Sequence, residues 1–451
     1  MKHYGGRKMF DVIKTYKECL DAGKTERECV RLATSMAEEA GYKPLEDFLN
    51  GEKGLKAGDK VYVTYNEKAM ALFHMGKESL EKGMNILGAH VDSPRLDVKQ
   101  NPLYESDGLA YLDTHYYGGI KKYQWVTVPL ALHGVIVKKD GTKIDVVIGE
   151  KEDEPVFAVS DLLVHLSGQQ LEKTAAKVIE GEKLDLIIAN TPVEGEEKDA
   201  VKQNVLNILK ETYDVEEADF LSAELEIVPA GKARDMGLDR SMIMAYGQDD
   251  RICAFTSLMA ILDIETPDRT AVCLLVDKEE IGSCGASGME SRFFENAVAE
   301  VADLAGCKGD LALRRILANS KALSSDVNAA YDPMFPEVFE KKNSSYLSKG
   351  LVFSKFTGAR GKSGSNDANA EYLAELRNVM DANDVKYQMA ELGAVDIGGG
   401  GTIAYLLAKY GMEVIDSGLA ILCMHATMEI SSKADICEAV KGYTAFLTDI
   451  K

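Results

Sequence analysis

Imidazoles and carboxylates recur in this chain at one kind of place, directly after a short apolar run. His90 and Asp92 follow Asn85-Ile86-Leu87-Gly88-Ala89, Glu279 and Glu280 follow the run 271–276, Asp326 follows Ala322-Leu323, and His425 follows the run 419–424. Asp249 stands just ahead of a helical pattern starting near Arg251. Residues two apart in an extended segment point the same way, so Asp92 can hold one imidazole nitrogen of His90 while the other meets a cation. Adjacent carboxylates must point apart, which lets one of Glu279 and Glu280 ligate while the other faces a substrate as a base. Taken singly, each histidine reads as a hydrogen-bonded core or edge residue, Asp249 as a helix N-cap, the glutamates as a loop pair and Asp326 as a turn residue. Together, two imidazoles and three carboxylates suit a pair of zinc-like ions, and a spare carboxylate is the base that metal-assisted hydrolysis requires.

The elements that must position these groups alternate. Buried-type runs at 85–89, 271–276 and 419–424 are separated by helical patterns such as 252–264 and 370–380. The expected fold is α/β, a mostly parallel sheet flanked by helices, with ligands gathered beyond the carboxyl ends of the strands. From Met9 to Ala40 the apolar spacing is helical, and Thr25 with Glu28 forms a capping box. The middle differs: 125–137, 143–148 and 156–159 are β-rich, and Asp140-Gly141 signals a type I′ hairpin. This assigns 1–100 and 236–451 to a discontinuous catalytic domain and 101–235 to an inserted β-rich domain. The acidic tract 194–199 reads as a solvated loop.

Composition narrows the functional classes. The chain has 451 residues, 46% hydrophobic and 28% charged, enough for two or three folded domains. A net charge of −21 has the wrong sign for a protein that neutralises phosphates, so nucleic acid is excluded as the expected partner. No run reaches the ~20 apolar residues of a membrane span, and the first eleven residues lack a signal-peptide core. Eight cysteines without a CxxC pair fit a reducing cytoplasm. Gly361-Lys362-Ser363 is no phosphate loop, because the pattern needs glycine where Phe356 stands. There is no HExxH and no GxSxG. Gly399, in the run Gly398-Gly399-Gly400-Gly401-Thr402, allows close backbone packing or close approach of a substrate.

Five ordered motifs carry a resemblance. Gly88-Ala89-His90-Val91-Asp92-Ser93-Pro94, Gly247-Gln248-Asp249-Asp250-Arg251, Asp277-Lys278-Glu279-Glu280-Ile281-Gly282-Ser283, Ser325-Asp326-Val327 and Met424-His425-Ala426-Thr427 resemble those of the aspartyl aminopeptidase and vacuolar aminopeptidase I family. Tyr117-Gly118-Gly119-Ile120 adds to the likeness. The resemblance implies a dinuclear zinc aminopeptidase, with cobalt or manganese as substitutes, an inserted dimerisation domain and self-association into a tetrahedral dodecamer. It places His90, Asp249 and Asp326 on one metal and Asp249, Glu280 and His425 on the other. Glu279 would be the general base and Asp92 the group orienting His90. His165 resembles a histidine that reaches into a neighbouring subunit's site. Beyond Ile120 the chain departs from the family pattern, running Gln124-Trp125-Val126-Thr127-Val128. Lys355 lies in a Gly/Ser-rich loop with Arg360 and Lys362 and could meet an acidic substrate side chain or simply be solvated. The preferred N-terminal residue of the peptide substrate, acidic or neutral, is therefore open. A dinuclear deacylase or carboxypeptidase, or a non-catalytic assembly protein, are the alternative readings.

Overall fold

The computed structural model describes residues 11–51 and 54–451. Met9 and Phe10 of the expected opening helix lie outside them. The rest of that pattern forms two helices, Val12–Ala22 and Glu26–Glu39. Thr25 and Glu28 make the reciprocal capping box between them, satisfying two orphan N–H groups at the second helix's start.

The chain divides into two compact units, one of residues 1–92, 233–424 and 429–451, the other of residues 93–232 and 425–428. The division falls at 92/93 and 232/233, where the β-rich hairpin pattern of the middle suggested about 100/101 and 235/236. Strand Arg95–Ser106 begins at once after the His90 segment and pairs within the second unit, with Leu109–Tyr117 and Ala223–Pro229.

The first unit is built on a nine-stranded sheet whose middle strands, Thr270–Val276, Met84–His90, Lys321–Ser325 and Glu413–Gly418, run parallel to one another. Toward the edges, Ala69–His74 and Leu351–Ser354 pair antiparallel, so the sheet is mixed. Successive residues of one strand serve different cores. Ile86, Leu274 and Val414 pack with the helix Phe293–Leu304, while Leu87, Leu275 and Ile415 pack with Gln248–Leu262 and Lys433–Asp449. Apolar cover on both faces is why these strands read as unbroken apolar runs rather than as alternation. Each fully buried aliphatic side chain contributes about 1.5–3 kcal/mol.

The run 419–424 departs from expectation. The sheet strand there is Glu413–Gly418, with Asp416 and Ser417 buried in it, and Ala420–Leu422 belongs to a separate five-stranded sheet with Asn328–Ala329 and Glu429–Ser432. Apolarity reports burial and does not say in which sheet.

The second unit carries a six-stranded antiparallel sheet and the helix Ala200–Tyr213. Residues 156–159 add only isolated bridges to it. The hairpin Leu130–Val137/Lys143–Ile148 forms as expected, but its turn is not type I′. Only Gly141 has a left-handed φ, and its N–H donates to the Lys138 carbonyl, giving a three-residue loop closed by a glycine. Trp125 is buried and the tract 194–199 is a loop ahead of the helix.

Candidate metal centre

Strand register brings the chemistry to one edge. Gly88, Ser324 and Asp416 form a row across the sheet. His90 and Asp326 stand two residues further along their chains, on the same face and beyond that row, as the two-residue side-chain period requires. Asp326 is fastened to the adjoining chain by its N–H, which donates to the Ser417 carbonyl at 2.9 Å. Gly418 has to be glycine here, because a Cβ would lie 1.8 Å from the Asp326 carbonyl oxygen.

His90 is buried, and its two nitrogens face different groups. Nδ1 lies 3.0 Å from the Asp92 carbonyl oxygen and 3.3 Å from Asp92 Oδ1, which assigns the ring proton to that side. Nε2 faces Asp249 Oδ1 at 3.3 Å, and Glu279 Oε2 and Asp326 Oδ1 at 3.9 Å each. Burial alone would hold this imidazole neutral, but the Asp249 and Asp92 carboxylates outweigh it and raise its pKa well above the usual histidine value. Asp326 is likewise held well above the ordinary carboxylate range, by burial first and then by the Asp250 carboxylate, with Glu279 and Asp249 adding to the effect and His90 opposing it. Carboxylates crowded around one imidazole nitrogen, which in their company favours a proton, are what a divalent cation in the proton's place relieves.

The donor set fits such an ion. His90, Asp249 and Asp326 offer ligand atoms that all lie within 4.8 Å of one another, and Asp249 and Glu280 do the same. Tetrahedral zinc with bonds of about 2.1 Å sets its ligand atoms about 3.4 Å apart, close to the His90–Asp249 spacing. His, carboxylate and carboxylate are ordinary zinc donors.

Asp92 ties the two halves of this edge together. Its carboxylate is fully buried and accepts the N–H groups of Glu279 and Glu280, each at 3.2 Å. The short 3-10 turn Glu279–Ile281 is entered through Lys278 at a left-handed φ of 68°. Asp277, which anchors the turn's base, accepts from the Ser287 hydroxyl at 2.6 Å.

Asp249 is not an N-cap. It sits with non-helical backbone in the first turn of Gln248–Leu262, joined to Asp250 by a cis peptide, and its N–H donates to Glu429 Oε2 at 3.0 Å. Gln248 donates to the Glu429 carbonyl at 2.8 Å and accepts from Tyr16 and Ser431. Arg251 donates to the Val91 and Lys24 carbonyls at 3.3 and 2.7 Å. Glu429, Tyr16 and Ser431 escaped sequence reasoning, since no spacing links residues so far apart in the chain. Gln248 and Arg251 at least flank Asp249 in its motif.

His425 groups with the second unit, where its Nδ1 lies 2.8 Å from the Gly119 carbonyl oxygen. That pairing gives the Tyr117-Gly118-Gly119-Ile120 motif a physical partner. His165 is exposed on the 3-10 turn Val164–Leu166 of the same unit. Lys355 is paired with Asp367, which Lys362 also reaches at 3.1 Å. Gly399 is accounted for by packing, with a left-handed φ of 122° and the Ala359 backbone 2.7 Å from where a Cβ would be.

Residues 19–447 match the family model described as aminopeptidase I zinc metalloprotease (M18). The chain belongs to the M18 aminopeptidase family. A probable M18 family aminopeptidase 1 of Clostridium acetobutylicum is 60% identical over 98% of this chain and 96% of that protein. The crystal structure of an M18 aminopeptidase from Thermotoga maritima superposes with a TM-score of 0.93 at 45% identity, covering 97% of this chain and 95% of that one. The S. cerevisiae mApe1 dodecamer structure shares the fold at 22% identity, with a TM-score of 0.78 over 97% of this chain and 96% of that one. As a family member the chain is a metalloaminopeptidase, a hydrolase. No helix among the described residues is long and apolar enough to cross a membrane.

Proposed function

We propose that this enzyme releases the N-terminal residue of peptides with the help of two zinc ions per subunit, one of which His90, Asp249 and Asp326 would hold and the other Asp249, Glu280 and His425, Asp249 being common to both sets. The observation that carries the reading is the His90–Asp249–Asp326 donor set, with His90 and Asp249 buried and Asp326 half-buried, and a further carboxylate, Glu279, 3.9 Å from the same imidazole nitrogen. Bound zinc supplies Lewis acidity, which brings the pKa of water down to about 7 and polarises the scissile carbonyl. Glu279 takes the proton of the attacking water and delivers it to the leaving amine. Asp92 keeps the His90 ring in register and holds the Glu279 turn from beneath. Carboxylates near the site hold the substrate's free ammonium, which confines attack to the chain end.

Neutral N-terminal residues are the expected preference, because Lys355 and Lys362 are both engaged by Asp367 rather than free to meet an acidic side chain. The β-rich unit serves dimerisation, with His165 reaching a neighbouring subunit within a homo-oligomer, a tetrahedral dodecamer. Leu163, Val164 and Leu166 around His165 are 58%, 67% and 70% exposed, an apolar turn suited to burial against a partner. A reducing cytoplasm suits its free thiols.

The test is release of free amino acids from Leu-, Met-, Lys-, Asp- and Glu-initiated peptides with zinc or cobalt added, Glu279→Gln serving as the blank. Release from Leu or Met, lost on N-acetylation and reduced about 10²–10⁴-fold in the variant, is the expected result. Turnover that survives N-acetylation would point to the deacylase or carboxypeptidase class. No release above the blank from a protein carrying two metals per chain would sink the aminopeptidase mechanism.

A further inference from the structure

The four glycines 398–401 are glycine for different reasons. A Cβ on Gly398 would stand 1.8 Å from the Leu392 carbonyl oxygen, and Gly399 is fixed by its left-handed φ and the Ala359 backbone. Gly400 is looser: its N–H donates to the Thr357 carbonyl at 3.0 Å, and a Cβ would meet only the flexible end of Leu392, at 3.3 Å. Gly401 answers to none of these. Its φ is not left-handed, a Cβ there would find nothing within 4 Å, and among the described residues no backbone carbonyl takes its N–H. The fold by itself does not require glycine at 401.

The place of this opening is set by the next residues. Thr402 donates its hydroxyl to Asp416 Oδ1 at 2.5 Å and accepts the Ala404 N–H at 3.2 Å. Asp416 lies in the row of Gly88 and Ser324, one step below His90 and Asp326 on the same face. Ile403 covers that face, with its Cδ1 3.1 Å from where a Gly88 Cβ would be. Gly401 is thus solvent-exposed one residue ahead of the Thr402–Asp416 tie, which meets the sheet face two residues below His90 and Asp326.

We propose that Gly401 is a substrate-binding residue: its N–H donates to a backbone carbonyl of the bound peptide, and the absence of a side chain leaves room for that strand. Thr402 and Asp416 are positioning residues that hold the run at this height. The assignment rests on the aminopeptidase reading for the identity of its ligand. A main-chain contact ignores side chains, so its loss weakens all peptides alike.

Gly401→Ala, Thr402→Val and Thr402→Ser test this, each also made in a Glu279→Gln background for calorimetric titration with Leu-Gly-Gly, which needs no turnover. Gly401→Ala should melt with the wild type, keep kcat within about twofold, raise KM about tenfold for Leu- and Asp-initiated peptides alike, and bind Leu-Gly-Gly about tenfold more weakly. Thr402→Val should follow it and Thr402→Ser should restore KM. Unchanged titration for Gly401→Ala overturns the proposal, as does a fall in kcat at constant KM. If Gly401→Ala fails to fold, a Thr402→Val protein with wild-type affinity overturns it instead. Wild-type protein that hydrolyses no peptide refutes the aminopeptidase mechanism, while the titration still decides the role of Gly401.

Discussion

Substituting Asp92 separates two jobs that one carboxylate performs. It accepts the Glu279 and Glu280 N–H groups at 3.2 Å each and lies 3.3 Å from His90 Nδ1, with Asp92 itself fully buried. A hydrogen bond to a charged acceptor contributes about 1.5–3 kcal/mol, so Asp92→Ala, which orphans both donors, should cost about 3–6 kcal/mol of stability. Asp92→Asn keeps one acceptor oxygen but turns an NH₂ toward the other N–H, and should cost about half of that. The ring of His90 suffers less, because the Asp92 backbone carbonyl, 3.0 Å from Nδ1, survives either change. Losing a group that orients a ligand typically costs 10–100-fold in metal affinity, and the smaller figure applies here. Turnover should fall further than metal affinity, since the base on the turn loses its anchor. Urea unfolding, zinc titration calorimetry and kcat on a Leu-initiated peptide measure the three quantities on one preparation. An Asp92→Asn enzyme within twofold of wild-type turnover, and as stable to urea, would refute the argument that this carboxylate sets the turn.

Two further changes probe the sheet beneath the site. Gly418→Ala forces a Cβ to within 1.8 Å of the Asp326 carbonyl, so overpacking should cost about 1–3 kcal/mol and weaken zinc binding, and a variant that melts and titrates as wild type would exclude that crowding. Burial pushes the Asp416 carboxyl up to about 7 from an ordinary 3.8, so between about pH 4 and 7 the folded chain binds more protons than the unfolded one and stability falls as pH rises. Asp416→Asn should flatten that slope in part, since Asp277 and Asp435, raised by burial to about 6, contribute to the same window. Urea midpoints at pH 5, 6 and 7 check this, and an unchanged slope would contradict it.

What could be read from the chain alone followed from local physics. A run such as 85–89 reports a strand buried on both faces, the residues after it lie at the strand's end, and the Thr25–Glu28 box marks a helix start within four residues. Long-range pairing left no such trace. The run 419–424 is as apolar as 271–276, yet it joins a different sheet, because apolarity records how much surface is hidden and not which neighbour hides it. The 140–141 hairpin was legible while its turn type was not, since Asp-Gly serves a three-residue loop as readily as a two-residue one. Glu429 is silent for a third reason: an acidic residue at the start of the short strand Glu429–Ser432 shows its role only through the Asp249 N–H it accepts, 180 positions away.

The candidate donors of the edge described above come from separate stretches of chain around residues 90, 249, 280 and 326, and only folding brings them within reach of one another. A metal held by the full set would therefore bind the native chain in strong preference to the unfolded one, and its binding free energy would count mainly as folding free energy. At a free zinc concentration one hundred times the dissociation constant this adds about 2.7 kcal/mol, a sizeable share of the 5–15 kcal/mol that keeps a domain folded. On the proposed zinc reading, zinc supply would act on the amount of enzyme that survives in a cell as well as on its rate, and chelation would remove both together.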